Sequence, residues 1–267
     1  MSTFHANPPP GTGIGNRLKA IASACMINGN NHVTIWWDQG GWYHNQTKYI
    51  LEEALTIDNT TIINQVNMEI QPSYHEWRLW VNPERLPKGF SKNLYNRDFD
   101  GRCIDYEYHN IPKPIIDEYK LVWNRFHPTE TILKRVSQIP QPKTSIQVRI
   151  SKDKEWSMGP GSDRAGIKTE CLDLVIHAIE KIDGPAYLAA IDEEIVELLK
   201  YAFPGKLYTL PNLNRKSFVD AIAELVIMGQ SDNLHVTDYS TFGEVAWWLG
   251  GCHAHVKKFG ENKNFSW

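Results

Sequence analysis

The sequence is poor in cysteine, and Cys25, Cys103, Cys171 and Cys252 stand far apart with no C-x-x-C pair. That spacing disfavours both a disulfide framework and a cysteine zinc site, and a reducing compartment is expected. No apolar run approaches the roughly 20 residues that cross a bilayer, which argues against a transmembrane helix. The opening stretch Met1-Ser-Thr-Phe-His-Ala-Asn-Pro-Pro-Pro10 lacks the basic and apolar regions of a signal peptide. A cytoplasmic setting is expected, in which the N-x-[ST] sequons at Asn45, Asn59 and Asn264 carry no meaning. Basic residues are not massed either: 28 Lys and Arg against 31 Asp and Glu leave a net charge of −3, scattered along the chain. General nucleic-acid binding needs a concentrated basic face, so it is not expected. The chain also lacks G-x-S-x-G, H-E-x-x-H and any Cys/His nucleophile arrangement.

What the chain does have is an ordinary globular balance, 42% hydrophobic and 22% charged over 267 residues, enough for one large or two small domains. It is rich in tryptophan, with ten. Aromatic rings fill cores and also offer sugars flat apolar faces, the first use being the commoner. The second half is rhythmic. Strand-like segments at residues 145–150, 186–191, 206–210 and 233–237 alternate with helical ones at 171–179, 193–200, 218–228 and 241–249. Asp192 is placed to cap the helix that starts at Glu193, and Gly250-Gly251 to stop the last one. Such alternation predicts a parallel, doubly wound sheet. In the first half a helix is expected from Asn16 to about Met26, and strands at 32–37 and 60–66, with short helices and long loops over 67–135. Residues 138–144 read as a linker.

Three motifs carry chemistry. Gly11-Thr-Gly-Ile-Gly15 lacks the third glycine of a dinucleotide fingerprint, having Asn16 there, and no long apolar strand precedes it. It is either a plain helix-entry turn or an anion or sugar contact made through helix-terminal amides at Gly13 and Gly15. Gln147-Val-Arg149 ends the first strand of the second half, at the sheet edge where ligands bind, and an Arg fork there suits a phosphate or a surface ion pair. Ser240-Thr241-Phe242 opens the last helix, as a simple cap or as an anion site. Asp98-Phe-Asp100 and His253-Ala-His255 are discounted as metal sites, because such pairs are frequent by chance.

In this order the motifs resemble the fucosyltransferase superfamily of α1,2- and α1,6-fucosyltransferases and protein O-fucosyltransferases. Gly13-Ile-Gly-Asn-Arg-Leu18 resembles the family's G-x-G-N-[RQ]-L turn, and Gln147-Val-Arg-Ile150 its H-x-R-R motif. Ala190-Ile-Asp-Glu193 with Phe203-Pro-Gly205 resembles A-[ST]-D-D and FPG, and Leu225 to Leu249 resembles the final helix, strand, S-S-F and helix. The likeness is dense over residues 146–250 and otherwise confined to 11–24.

The resemblance implies an α/β GT-B architecture of two Rossmann-like domains facing a cleft. Residues 1–140 would form the acceptor-side domain, 141–250 the GDP-sugar-binding domain, and 251–267 a tail. It implies an inverting transfer of fucose from GDP-fucose to a glycan-type acceptor, without metal or other cofactor, while the compact length and lack of a membrane anchor suit a bacterial or viral cytoplasmic enzyme. By position, Arg149 would clamp the β-phosphate, with Asn16 and Arg17 near the diphosphate and acceptor. Ser240, Thr241 and Phe242 would line the phosphate and nucleoside end, Glu224 would accept hydrogen bonds from guanine, and Asp192 matches the first acid of A-[ST]-D-D. The family's histidine is Gln147 here and its second arginine is Ile150. A catalytic base would be Glu155, Asp153 or Asp163, and the acceptor pocket would draw on Trp42, Tyr43, Trp77, Trp80 and Tyr106. A non-catalytic nucleotide-sugar or glycan-binding protein on the same scaffold is the alternative, and a nucleotide-dependent oxidoreductase a third reading.

Overall fold

The computed structural model describes residues 4–8, 12–39, 50–65, 73–74, 78–86, 102–149, 169–238 and 240–259. The chain opens with β1 (Phe4–Ala6), α1 (Ile14–Asn28), β2 (Val33–Trp36), α2 (Leu51–Ala54), β3 (Leu55–Ile57), β4 (Thr60–Ile63) and β5 (Ser73–Tyr74). Next come β6 (Trp80–Val81), β7 (Arg102–Cys103), α3 (Lys113–Trp123), β8 (Phe126–Pro128) and α4 (Glu130–Val136). Four of these strands form a parallel sheet in the order β4-β2-β1-β5. The pairs β3/β8 and β6/β7 are small antiparallel ribbons.

The second half runs β9 (Thr144–Val148), α5 (Thr169–Glu180), β10 (Ala186–Ala190), α6 (Glu193–Ala202), β11 (Leu207–Tyr208), α7 (Phe218–Gly229), β12 (Asn233–Thr237), α8 (Thr241–Leu249) and β13 (His255–Phe259). Its five strands are all parallel, in the order β11-β10-β9-β12-β13. Strand periodicity places helices on both faces. Ile146, Val148, Leu188 and Ala190 pack with Val175, Ile179, Ile195 and Leu199 of α5 and α6. Tyr187 and Ala189 instead join the larger core with Ile222, Leu225 and Val245 of α7 and α8.

Local signals account for these helices. The Asp192 carboxylate accepts from the Glu194 N–H at 2.9 Å, while Glu193 and Glu194 occupy the first turn of α6 and Lys200 the last. Ser217 caps α7 in the same way, accepting from the Asp220 N–H at 3.2 Å. The larger core also draws on the first half: α1 packs on α8, and α4 on α7. An aromatic seam crosses it, with Trp248 against Tyr119 at 5.3 Å and Trp247 against Tyr108 at 5.5 Å between ring centroids. Trp37, Trp123, Trp247 and Trp248 are buried there, so those four serve packing.

Several strands lie where the sequence reading placed none: the short β3, β5, β6, β7 and β8 of the first half, and β1 and β13 at either end of the described chain. A short strand, β1, does precede the glycine turn, but its three residues before the proline run are too few to show a period. Residues 255–259, expected in a tail, form edge strand β13, where His255 and Lys257 on the exposed positions and Lys258 beside Val256 hide the apolar alternation.

Candidate functional site

In an open parallel sheet the crevice lies at the carboxyl ends of the strands, where the strand order reverses direction. In the second sheet that point falls between β9 and β12, and in the first between β1 and β5. The segment after β9 carries Arg149, and the one after β12 carries Ser240 and Thr241. The turn after β1 carries Gly13, Gly15 and Asn16. These two switch points meet. A Cβ placed on Gly15 would stand 2.8 Å from the backbone carbonyl carbon and oxygen of Thr241 and 2.9 Å from its Oγ1. Only glycine permits that approach, which sets the N-terminus of α1 directly on the N-terminus of α8. Both helices bring unsatisfied N–H groups and the positive end of a dipole to one place. Gly15→Ala is therefore expected to force these helices apart and cost about 1–3 kcal/mol. Thermal unfolding measures this, and an alanine variant as stable as the parent would show that the contact does not constrain the fold.

Beneath that junction Thr237 ties β12 to the end of β9. Its N–H donates to Gln147 Oε1 at 3.3 Å, its hydroxyl donates to the Gln147 carbonyl at 3.2 Å, and Oγ1 accepts from the Arg149 N–H at 2.9 Å. Gln147 is thus buried and engaged within the sheet. The Arg149 side chain is exposed just beyond the strand end. Its charge bears on the buried Tyr106 phenol, whose pKa burial raises above the ordinary value and Arg149 pulls back down. Ser240 stands at the N-cap of α8 without a side-chain cap bond, and Phe242 packs half-buried against the larger core.

A second group lies at the end of β10. Glu224, on α7, accepts from the Tyr187 hydroxyl at 3.1 Å. Arg215 holds the Ala190 carbonyl and the Glu193 carboxylate, and its charge acts on Glu224. Burial pushes the Glu224 carboxyl up to about 7, against the pull of Arg215 and the Tyr187 hydrogen bond.

Arg17 and Asp192, also expected in the site, are engaged within the fold. Arg17 is 1% exposed. It donates to the Asp38 carbonyl at 2.6 Å, pairs with the Asp38 carboxylate at 3.4 Å, and lies 4.9 Å from the centre of the Trp37 ring. Its guanidinium therefore anchors the segment after β2, whereas a place beside the diphosphate was expected. Asp192 serves as the α6 cap, and Asn16 lies in the first turn of α1. His253 bonds the Gly250 carbonyl, while His255 stacks on His109 at 6.0 Å. Glu155, Asp153, Asp163, Ile150, Gly11, Asp98 and Asp100 lie outside the described residues, as do Trp42, Tyr43 and Trp77.

The sequence reading missed a buried charge cluster next to the junction. Lys19 of α1 is fully buried between the carboxylates of Asp105 and Glu244, with Glu244 Oε2 at 2.6 Å. Glu244 Oε1 accepts the Tyr106 N–H at 3.0 Å, and the Lys19 ammonium lies 4.8 Å from the centre of the Tyr106 ring. The only local hint was a lysine inside the otherwise apolar run of α1.

No protein-family model and no curated protein matches the sequence. Solved structures do. The chain is similar to NodZ α1,6-fucosyltransferase soaked with GDP-fucose, at a TM-score of 0.55 and 13% identity over 93% of both chains. NodZ has also been solved as the Bradyrhizobium fucosyltransferase. A mutant of Arabidopsis thaliana FUT1 in complex with GDP matches at a TM-score of 0.51 and 14% identity, covering 99% of this chain and 71% of that one. POFUT1 in complex with GDP matches at 0.50 and 12%, covering 97% and 99%. Among the described residues no helix is long and apolar enough to cross a membrane. With two parallel α/β sheets whose switch points face each other, this chain has the GT-B fold of the fucosyltransferases it is similar to.

Proposed function

We propose that the chain is an inverting, metal-independent glycosyltransferase that moves a sugar, L-fucose in the leading reading, from GDP-fucose to a hydroxyl of a glycan or glycoconjugate. The observation that carries this reading is the meeting of α1 and α8 at Gly15 and Thr241, with Arg149 at the same sheet edge. Three of the similar structures hold GDP or GDP-fucose, which supports the same nucleotide here.

Breaking a sugar–phosphate bond leaves negative charge on the diphosphate while the ring turns oxocarbenium-like, as in glycoside hydrolysis. Arg149 and the helix-terminal amides at Ser240 and Thr241 are positive charge fixed in advance, the arrangement that stabilises a leaving anion. Glu224, when ionised, matches the N1–H and N2–H₂ donors of guanine. Release of GDP from GDP-fucose by the purified protein in EDTA tests the proposal. Retained GDP binding with neither hydrolysis nor transfer would select the non-catalytic binder. That reading draws on Gln147, which stands where the family has histidine and is held by Thr237.

The Glu224 assignment fixes a pH dependence. Its folded-state pKa of about 7 lies above the ordinary 4.5, so this group favours folding fully below about pH 4.5, a contribution lost as pH rises through 7. Guanine needs the ionised form, so GDP affinity should run the other way and weaken below pH 7, toward about tenfold per pH unit. Titrations with GDP from pH 5.5 to 8.5 test this against Glu224→Gln, in which the slope and the preference for guanine should both vanish. An unchanged nucleotide preference would remove Glu224 from the site.

A further inference from the structure

Buried polar groups in folded proteins are nearly always hydrogen-bonded, and leaving one unbonded costs free energy that an apolar side chain of the same size would not. Asn7 is such a group. It follows β1 directly, is 2% exposed, and neither its Oδ1 nor its Nδ2 has a hydrogen-bond partner among the described residues. Its backbone N–H donates to the Tyr74 carbonyl at 2.9 Å, which fixes the residue between β1 and β5, at the switch point of the first sheet. Two more unbonded buried atoms flank the same junction: Asn16 Oδ1 in the first turn of α1, and Ser240 Oγ at the cap of α8, which touches α1 through Gly15.

We infer that Asn7 is a specificity residue that, with Asn16 and Ser240, binds hydroxyl groups of the donor's sugar ring. The argument rests on the nucleotide-sugar reading above and on the chemistry of the unbonded atoms. A phosphate only accepts hydrogen bonds, so it satisfies Nδ2 but neither amide oxygen. A sugar hydroxyl both donates and accepts, and adjacent hydroxyls match the oxygen and nitrogen of one amide. The conclusion is independent of how the Asn7 amide is turned, since both ends are unbonded. Asn7 and Asn16 belong to the first half, whereas Ser240, like Arg149, belongs to the second, so the sugar is held between the two halves.

Asn7→Leu, which keeps the number and branching of the side-chain heavy atoms and removes the amide, tests this, with Asn7→Ala as a second variant in case leucine overpacks the site or fails to fold. Two measurements are made on the full chain: thermal unfolding without ligand, and calorimetric titration with GDP and with GDP-fucose. The ligand-free melting temperature should hold or rise, because an unbonded buried amide has been replaced by an apolar group. GDP affinity should stay within about twofold, while GDP-fucose affinity falls about 10- to 100-fold, the loss of one or two hydrogen bonds to the sugar. Equal weakening of both ligands, weakening of neither, or a lower ligand-free melting temperature in Asn7→Leu overturns the inference and gives the amide a structural role. Failure of the unaltered protein to bind GDP is a different result: it overturns the nucleotide reading and this inference together.

Discussion

Replacing Arg149 by alanine should leave the protein folded while turnover of GDP-fucose falls about 10²–10³-fold, the effect of removing one preorganised donor from a developing anion. The side chain is exposed beyond the end of β9, and the backbone bond to Thr237 survives the substitution, so the fold has little stake in it. The loss should appear in kcat as well as in GDP affinity, because charge on the diphosphate is greatest in the transition state. Arg149→Lys should recover only part of it, since an ammonium cannot reproduce the planar fork. Steady-state GDP release by the three proteins decides. An alanine variant within about threefold of the parent would mean that Arg149 is a surface residue and that the clamp lies elsewhere.

The second large effect falls on stability. Lys19→Met should cost about 3–5 kcal/mol, because it leaves the Asp105 and Glu244 carboxylates buried together without their cation. Lys19 itself stays charged: burial opposes the ammonium, but the two carboxylates outweigh it and hold its pKa above the ordinary value. Glu244 is raised to about 7, chiefly by burial, despite Lys19 beside it. A carboxyl raised above its ordinary 4.5 favours folding below that pH and loses its contribution as pH rises through about 7. The Lys19→Met deficit should therefore be larger at pH 8 than at pH 5.5, where Glu244 is neutral. Adding Glu244→Gln should restore part of the stability at pH 8, a coupling that a double-mutant cycle measures. A small, pH-independent deficit would show that the cluster does not bind α1 to α8.

Much of the second half was legible because its signals are local. The bounds expected for β12 and α8, residues 233–237 and 241–249, are those observed, and Asp192 caps α6 as its position before Glu193-Glu194 predicts. Short range explains this success, since caps, acids in a first turn and a glycine stop act within a few residues of one another. The glycine turn, Arg149 and Ser240-Thr241 were also readable as separate motifs, and the fold brings them to facing sheet edges. Their contact was not readable, because Gly15 meets Thr241 across most of the chain. The same holds for Lys19 and Glu244, which are 225 positions apart. A lysine in an apolar helix announces a buried partner but not which one. Glu224 was found by resemblance, whereas Arg215 and Tyr187, which set its charge, carry no signal until α7 is laid against β10. Asn7 gave none either, since an asparagine before three prolines reads as an ordinary turn.

The central claim is that the facing helix ends and Arg149 make a site for a guanine nucleotide diphosphate. Calorimetric titration of the full chain without added metal, against GDP, GDP-fucose, GDP-mannose, UDP and NAD, tests it most directly, with Arg149→Ala run in parallel. The account predicts micromolar binding of GDP and GDP-fucose, little of UDP or NAD, and a sharp weakening in Arg149→Ala. Binding of no guanine nucleotide by the unaltered protein would contradict it, and would leave the glycine turn and the Ser240-Thr241 cap as parts of the scaffold alone.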